Sequence, residues 1–359
     1  MINPFARILD SFMGRGSAAV TVPPLDGALK PNNQLEELPE GIAGASPDDS
    51  ALWHGEPLYS DKNRLMSVSG AVVATMSSPL TAIATSGDRL AIASVDNGLE
   101  IFDANLKNIT PTWDKRIRNL TALTFTDAGA LWYCSGSSRL APDEWRRDLM
   151  EMNRAGSVGM ADITTGIVRV VKSRLGYPAG VVGLSNGNVA VSEAWRSQVI
   201  EISAEGQIIR VMLDEIPGYP GRIHRRPSGG YWLTIFAPRS PLIEFVLREP
   251  GYRKAMLAEL APEHWIAPAY ISGQSFHEPL QGGALKQMGI LKPWAPTRSY
   301  GLVVETDADF IPQRSFHSRS GGTRHGITSA LEHDDTLWLT SRGCCEVLSM
   351  RLKTQGENA

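Results

Sequence analysis

A strand–turn–strand unit that recurs along most of the chain limits its fold more than any other feature. It runs from Ala82 to Ala93 around Gly87-Asp88, and from Leu123 to Tyr133 around Asp127-Ala128-Gly129. Further copies span Val181 to Val191 around Asn186-Gly187, Ile223 to Leu233 around Gly229-Gly230, and Ser329 to Leu339 around Asp334-Asp335. Apolar runs on either side of a Gly-, Asp- or Asn-bearing turn define a hairpin. A third, amphipathic strand usually follows, as at Leu99–Phe102, Val199–Ile202 and Glu346–Met350. The early copies are spaced by roughly 40–50 residues, the period of propeller blades. A sandwich or an ordinary barrel has no need of self-similar units. A degenerate copy over Leu52–Met76 completes the set. The fold class read from the sequence is therefore all-β, a six-bladed β-propeller with short helical cap insertions.

Two stretches break the rhythm. Pro142–Met152 reads as a short helix inserted in the third blade, and 241–296 as a longer cap with helical pieces such as Tyr252–Leu260. Such insertions lie over one mouth of the channel, where ligands bind. The organisation expected is an N-terminal helix and wrapping segment over 1–50, the propeller over 51–352 and a tail over 353–359. In the first part, Ile2, Phe5, Ile8, Leu9 and Phe12 recur at helical spacing until Gly14 and Gly16. That pattern fits a short helix docked on the domain, or else a membrane-surface or partner-docking helix, although Arg7 and Arg15 are its only basic residues.

Thirty-five basic against 38 acidic side chains give a net charge of −3. Such a balance argues against a chain built to coat nucleic acid or anionic lipid. No apolar run reaches the roughly 18 residues of a membrane span, and the N-terminus lacks the apolar stretch of a signal peptide. Of the three cysteines, Cys134 sits in an apolar strand, while Cys344 and Cys345 are adjacent, too strained for an ordinary disulfide. The expected location is cytoplasmic. The sequence leaves the oligomeric state open.

Several runs carry a family resemblance: Leu175-Gly176-Tyr177-Pro178-Ala179-Gly180-Val181, Ser192-Glu193-Ala194-Trp195-Arg196 and Ile216-Pro217-Gly218-Tyr219-Pro220-Gly221-Arg222-Ile223. Gly229-Gly230-Tyr231-Trp232, Phe236-Ala237-Pro238-Arg239 and Gly322-Thr323-Arg324-His325-Gly326 continue it. Over 120–350 the chain resembles the strictosidine synthase-like family, related to the gluconolactonase/SMP-30 and paraoxonase propellers. Pro23–Leu29 and the Gly-Thr-Arg-His-Gly run look like a bacterial branch whose members are often linked to ABC-transporter permeases. The resemblance implies six blades and a small-molecule site in the channel, and hydrolase or lactonase chemistry is what prevails in the superfamily.

Its catalytic positions depart from that pattern. The family's metal-ligating Asn corresponds to Ala179, and its Gly-Tyr-Pro-Asp-Asn run appears as Gly218-Tyr219-Pro220-Gly221-Arg222. Asp48 alone matches an acidic ligand, so no metal or other cofactor is expected and Ca²⁺ is disfavoured, since a hard ion needs several oxygens and Arg222 would repel it. Thr328 stands where strictosidine synthases carry the catalytic Glu, which argues against that activity.

Residues just before each repeat are expected near the channel axis. His325 is the candidate general base, with Thr328 beside it in a catalytic role. Arg222 and Arg324 are expected to form an anion site, with Asp48, Trp195 and Arg239 as further ligand-binding positions. For His325 and Trp195 purely structural roles come first, as a tie within the last blade and as packing between blades, and Arg222 could pair with a nearby acid. The function read here is a cytoplasmic propeller acting on a small, anionic organic molecule as a hydrolase without the usual metal shell. The alternatives are a non-catalytic binding or sensor module associated with an ABC-type transport system, and a scaffold that binds another protein.

Overall fold

The computed structural model describes residues 22–275, 278–279, 286–287, 290–291 and 298–352. The expected helix over 2–12 and the tail over 353–359 lie outside them. Six antiparallel sheets are arranged as blades around an axis, five with four strands and the second with three. Each recurring hairpin of the sequence supplies the two inner strands of a blade.

The inner strands are Pro47–Trp53, Leu80–Ser86, Leu120–Phe125, Pro178–Gly183, Gly218–Arg225 and Ile327–His333. Each packs against the next, and the last packs against the first, so the ring is closed. The hairpin turns behave as their residues dictate. Asp334 and Asp335 both adopt positive φ, 46° and 55°, the left-handed pair that matches the twist of the flanking strands. Gly230 has φ 78°, and a Cβ there would stand 2.1 Å from the Thr306 carbonyl oxygen. Only glycine fits that turn.

The core lies between blades. Trp132 and Cys134 fill the seam between the third and fourth blades with Val158, Val181, Val189 and Ile200. Trp232 fills the seam between the fifth and sixth with Val303, Phe316, Ile327 and Leu339. The indole Nε1–H of Trp232 donates to Glu332 at 2.7 Å.

The first blade opens at Pro47, and residues before it take part in the propeller rather than only covering it. Ile42–Ala43 pairs with Val347–Glu346 as the outermost strand of the sixth blade. Upstream, Leu35 is fully buried against Trp232 and Phe316, and the Asn32 side chain bridges the Ser315 carbonyl and the His317 amide. The ring is thus closed by a segment from the opposite end of the chain. The insertions form as read: Pro142–Glu144 and Trp145–Met150 are helical turns of the third blade, and Pro241–Arg248 and Pro250–Glu259 are helices of the cap. Ser240 caps the first cap helix, its Oγ accepting from Ile243 N. No described helix is long and apolar enough to cross a membrane.

Closure through Leu35 makes a measurable claim. Leu35→Ala should cost about 2–5 kcal/mol, read as a lowered urea midpoint. An unchanged midpoint would mean that the segment covers the blades without stabilising them.

Candidate functional site

The inner strand of every blade slips register near its start. Thr81, Thr121, Ala179 and Thr328 are each an extra residue with no partner on the second strand. In the first blade Asp48 and Asp49 together face a single position, and in the fifth Gly221 and Arg222 do the same. A β-bulge takes a side chain and its backbone groups out of the ladder. All six bulges meet at one mouth of the channel, where they line a cavity of about 40 Å³. Their close approach depends on glycine: a Cβ on Gly180 would stand 2.3 Å from the Gly221 carbonyl oxygen.

Arg222 fills this ring. Its guanidinium pairs with both Asp48 carboxylate oxygens, at 3.2 and 2.9 Å, and its Nε lies 3.1 Å from Asp49 Oδ1. It also donates to the carbonyls of Asp48 (3.1 Å), Thr81 (2.7 Å) and Thr328 (3.3 Å). The last two are bulge residues of other blades. The Thr328 and Thr340 hydroxyls donate to the Asp48 carbonyl as well. Burial opposes charge on both partners, but mutual attraction outweighs it. The Asp48 carboxyl is held below its usual range and the Arg222 guanidinium above its own.

A second cation stands further out. Arg342, just beyond the second strand of the sixth blade, reaches to 3.5 Å from Asp48 Oδ1 and lies 5.0 Å above the Tyr270 ring. Tyr177, Phe236 and Tyr270 form an aromatic wall beside it. Behind that wall Trp195 stacks on Tyr177 at 4.6 Å, its indole N–H donating to the buried Asp148 carboxylate at 2.7 Å. Thr81 Oγ1, also at the cavity, is buried with no hydrogen-bond partner in the described structure.

Of the residues expected here from sequence, Asp48, Arg222 and Thr328 are brought together in the ring. Four others are placed elsewhere. His325 is fully buried away from the cavity, its Nε2 donating to the Arg319 carbonyl at 2.8 Å and its Nδ1 accepting from Ser299 at 2.7 Å. Burial lowers its pKa and both ring nitrogens are engaged, so it ties the sixth blade together and has no lone pair to offer a substrate. Arg324 turns outward and donates to the carbonyls of Leu35, Glu36 and Pro39, clamping the N-terminal segment. The expected Arg222–Arg324 anion site therefore does not form. Arg239 pairs with Glu244 at 3.0 Å and lines a separate groove between the cap and the N-terminal segment. Trp195 packs behind the mouth. The sequence reading missed Thr81, Tyr177, Phe236, Tyr270 and Arg342. Hairpin register could have found Arg342, because Ser341 pairs with Ile327 and so ends beside Thr328.

The donor set does not fit a hard divalent ion. Ala179 offers no side-chain oxygen, the Asp48 carboxylate is occupied by a guanidinium, and no cluster of three His, Cys, Asp or Glu side chains suited to a metal occurs among the described residues.

The ring defines a class: a six-bladed propeller whose channel mouth holds an arginine in a shell of oxygens. No family model matches the chain. Among curated proteins it is 26% identical over 219 residues to the adipocyte plasma membrane-associated protein of Salmo salar, covering 60% of this chain and 47% of that protein. It is 22% identical over 151 residues to Protein STRICTOSIDINE SYNTHASE-LIKE 6 of Arabidopsis thaliana, 42% of this chain and 40% of that one. The chain spans about half the length of these adipocyte plasma membrane-associated proteins. In three dimensions it is similar to a gluconolactonase of Xanthomonas campestris, with TM-score 0.54 and 11% identity over 87% of this chain and 88% of that one. The chain thus shows weak homology to the adipocyte plasma membrane-associated protein and to STRICTOSIDINE SYNTHASE-LIKE 6, and shares the six-bladed propeller fold of the gluconolactonase structure.

Removing the acid of the central pair should be severe. Asp48→Asn leaves a buried cation under-compensated, at a cost of about 3–5 kcal/mol. Because the folded Asp48 carboxyl titrates below its unfolded value of about 3.9, its stabilisation is complete above that pH and disappears as pH falls through the lower, folded value. The acid limb of the stability curve should therefore be shallower in the variant. Identical limbs would show that Asp48 does not carry this linkage.

Proposed function

We propose that this protein is a metal-independent propeller that binds a small organic anion at the capped channel mouth, with Arg342 as the recognising charge. One observation carries the reading: the mouth holds two arginines of different standing. Arg222 is consumed by the ring. Arg342 keeps 26% of its side chain exposed and among the described residues pairs with a single carboxylate, at 3.5 Å. A carboxylate entering here would meet that guanidinium in a charge-assisted bond, the unpartnered Thr81 hydroxyl, and the faces of Phe236 and Tyr270 for its organic portion.

Lactone or ester hydrolysis is the second reading, favoured by the gluconolactonase fold. Its difficulty is chemical. Hydrolysis needs a nucleophile or a base with a free lone pair. At the mouth the titratable groups are Asp48, engaged by two arginines, the arginines themselves, and the phenols of Tyr177 and Tyr270, which burial keeps protonated. Binding without turnover is what this inventory supports.

A panel of carboxylates such as gluconate, benzoate and phenylacetate, followed by thermal shift and calorimetry, tests both readings. At least one should raise Tm in the presence of EDTA, and R342Q should weaken its binding by about 10-fold or more, the loss of one charged hydrogen bond. R324Q, outside the mouth, should bind as wild type does. Absence of binding by every carboxylate would sink the proposal. Turnover of lactones or aryl esters that disappears in R342Q would replace it with the hydrolase.

A further inference from the structure

Cys344 and Cys345 stand side by side in the turn over 342–345, between the second and third strands of the sixth blade. Both are free and half-buried. Two parts of the molecule meet in this turn. Arg342 opens it and lines the channel mouth. At its far end the Cys345 carbonyl accepts the Gly44 amide at 2.8 Å, next to the Ile42–Ala43 strand that closes the ring. The turn is held in one form. The Arg342 and Gly343 amides donate to the Gly326 and His325 carbonyls at 3.0 and 3.1 Å, and a Cβ on Gly343 would stand 2.4 Å from the Tyr270 carbonyl oxygen. Cys345 completes it with φ 57°, a left-handed conformation that is costly for a residue with a side chain. The thiols have separate partners: Cys344 Sγ donates to Ser341 Oγ at 3.0 Å, and Cys345 Sγ donates to the Arg342 carbonyl at 3.8 Å.

A trans peptide fixes adjacent Cα atoms about 3.8 Å apart, less than the roughly 4.4–6.8 Å spanned by an unstrained disulfide. A bond between these two sulfurs therefore forms only if the peptide and the dihedrals beside it change. Strained disulfides of this kind are the readily reversed ones. The third cysteine does not compete: Cys134 is fully buried in the seam between the third and fourth blades, where burial pushes its thiol far up. We infer that Cys344 and Cys345 are a redox modification site, closing under a peroxide into a vicinal disulfide that undoes the turn joining Gly44 to the channel mouth. Burial raises the Cys344 thiol, so Cys345 attacks first, giving a sulfenic acid and one water. Cys344 then attacks that sulfur, forms the disulfide and releases a second water. Two electrons pass from the sulfurs to the peroxide, and a dithiol reductant restores them. Closure takes the sulfurs from Ser341 and from the Arg342 carbonyl and draws Cys345 out of its left-handed conformation. The Gly44 amide then loses its acceptor, and Arg342 its fixed place beside Asp48.

The test treats the full chain, C344S, C345S and C344S/C345S with a small molar excess of hydrogen peroxide. Free thiols after denaturation, peptide mass and Tm are the readouts. Wild type should fall from three free thiols to one, and its tryptic peptide carrying both cysteines should lack the mass of two hydrogens. Its Tm should drop by about 2 °C or more and return with dithiothreitol. The single-serine variants should form no such bond, and the double variant sets the baseline for methionine oxidation. Thiols lost to sulfinic acid, a cross-linked dimer on a non-reducing gel, or a disulfide that leaves Tm unchanged would each overturn the inference. A carboxylate that binds the reduced chain should bind the oxidised one about 10-fold more weakly, and equal binding would overturn the link to the mouth. The thiol, mass and Tm readouts need no ligand, so they can hold while carboxylate binding fails, and fail while it holds.

Discussion

The pairing of Arg222 with Asp48 and Asp49 is the interaction on which the rest of this structure depends. It joins the fifth blade to the first, and through backbone carbonyls to the second and sixth. Buried ion pairs are often neutral or worse for stability, because desolvation offsets attraction. This one differs in that the terminal guanidinium nitrogens and both carboxylates are hydrogen-bonded, although Arg222 Nε meets Asp49 only as an ion pair. The carboxylate is bidentate, the guanidinium nitrogens meet backbone carbonyls, and the Asp49 carboxylate also accepts from the Ile83 and Ser50 amides. A half-finished network at this point would be worse than an apolar core. The inner strands are thus tied in register by one side chain at the place where their ladders are weakest.

Much of the architecture is legible in the sequence because hairpins are local. Alternation around Gly87, Gly187 and Gly229-Gly230 places strands without knowledge of what they pack against. Residues just before the repeats were expected near the axis, and Asp48, Arg222 and Thr328 meet there together with Thr81, which was not. What the strand pattern hides is the bulge. A bulge shifts the two-residue period by one, and that shift decides whether a side chain faces the channel or a neighbouring blade. His325 and Arg324 precede the sixth inner strand by only a few residues. Yet one is sealed among Ser299 and Arg319 and the other clamps Leu35 and Pro39. No periodicity distinguishes such a residue from Thr328. Tyr270 and Arg342 are brought to the mouth by cap packing and by cross-strand register, both long-range and silent in a local reading.

The same comparison explains why the family resemblance transfers the fold more readily than the chemistry. Inner-strand bulges, hairpin turns and inter-blade tryptophans belong to the scaffold and tolerate changes in what projects from the ring. The identity of the ring residues sets what the channel can do. Here Ala179 gives no ligand, Thr328 no carboxylate, and Arg222 a permanent charge. What the mouth leaves partly exposed is Arg342, beside the aromatic wall.

The strand Ile42–Ala43, described above as the outer edge of the sixth blade, also sets the order in which the chain can complete itself. Its partner, Glu346–Val347, lies about three hundred residues downstream. The first described strand of the chain therefore waits for its partner until the last described strand has been made. Until then the sixth sheet has an open edge, and Leu35 has no cover. Long-range closure of this kind is slow because the loop entropy is spent before the contact forms. The vulnerable form of this protein is the ring that has assembled but not yet been latched.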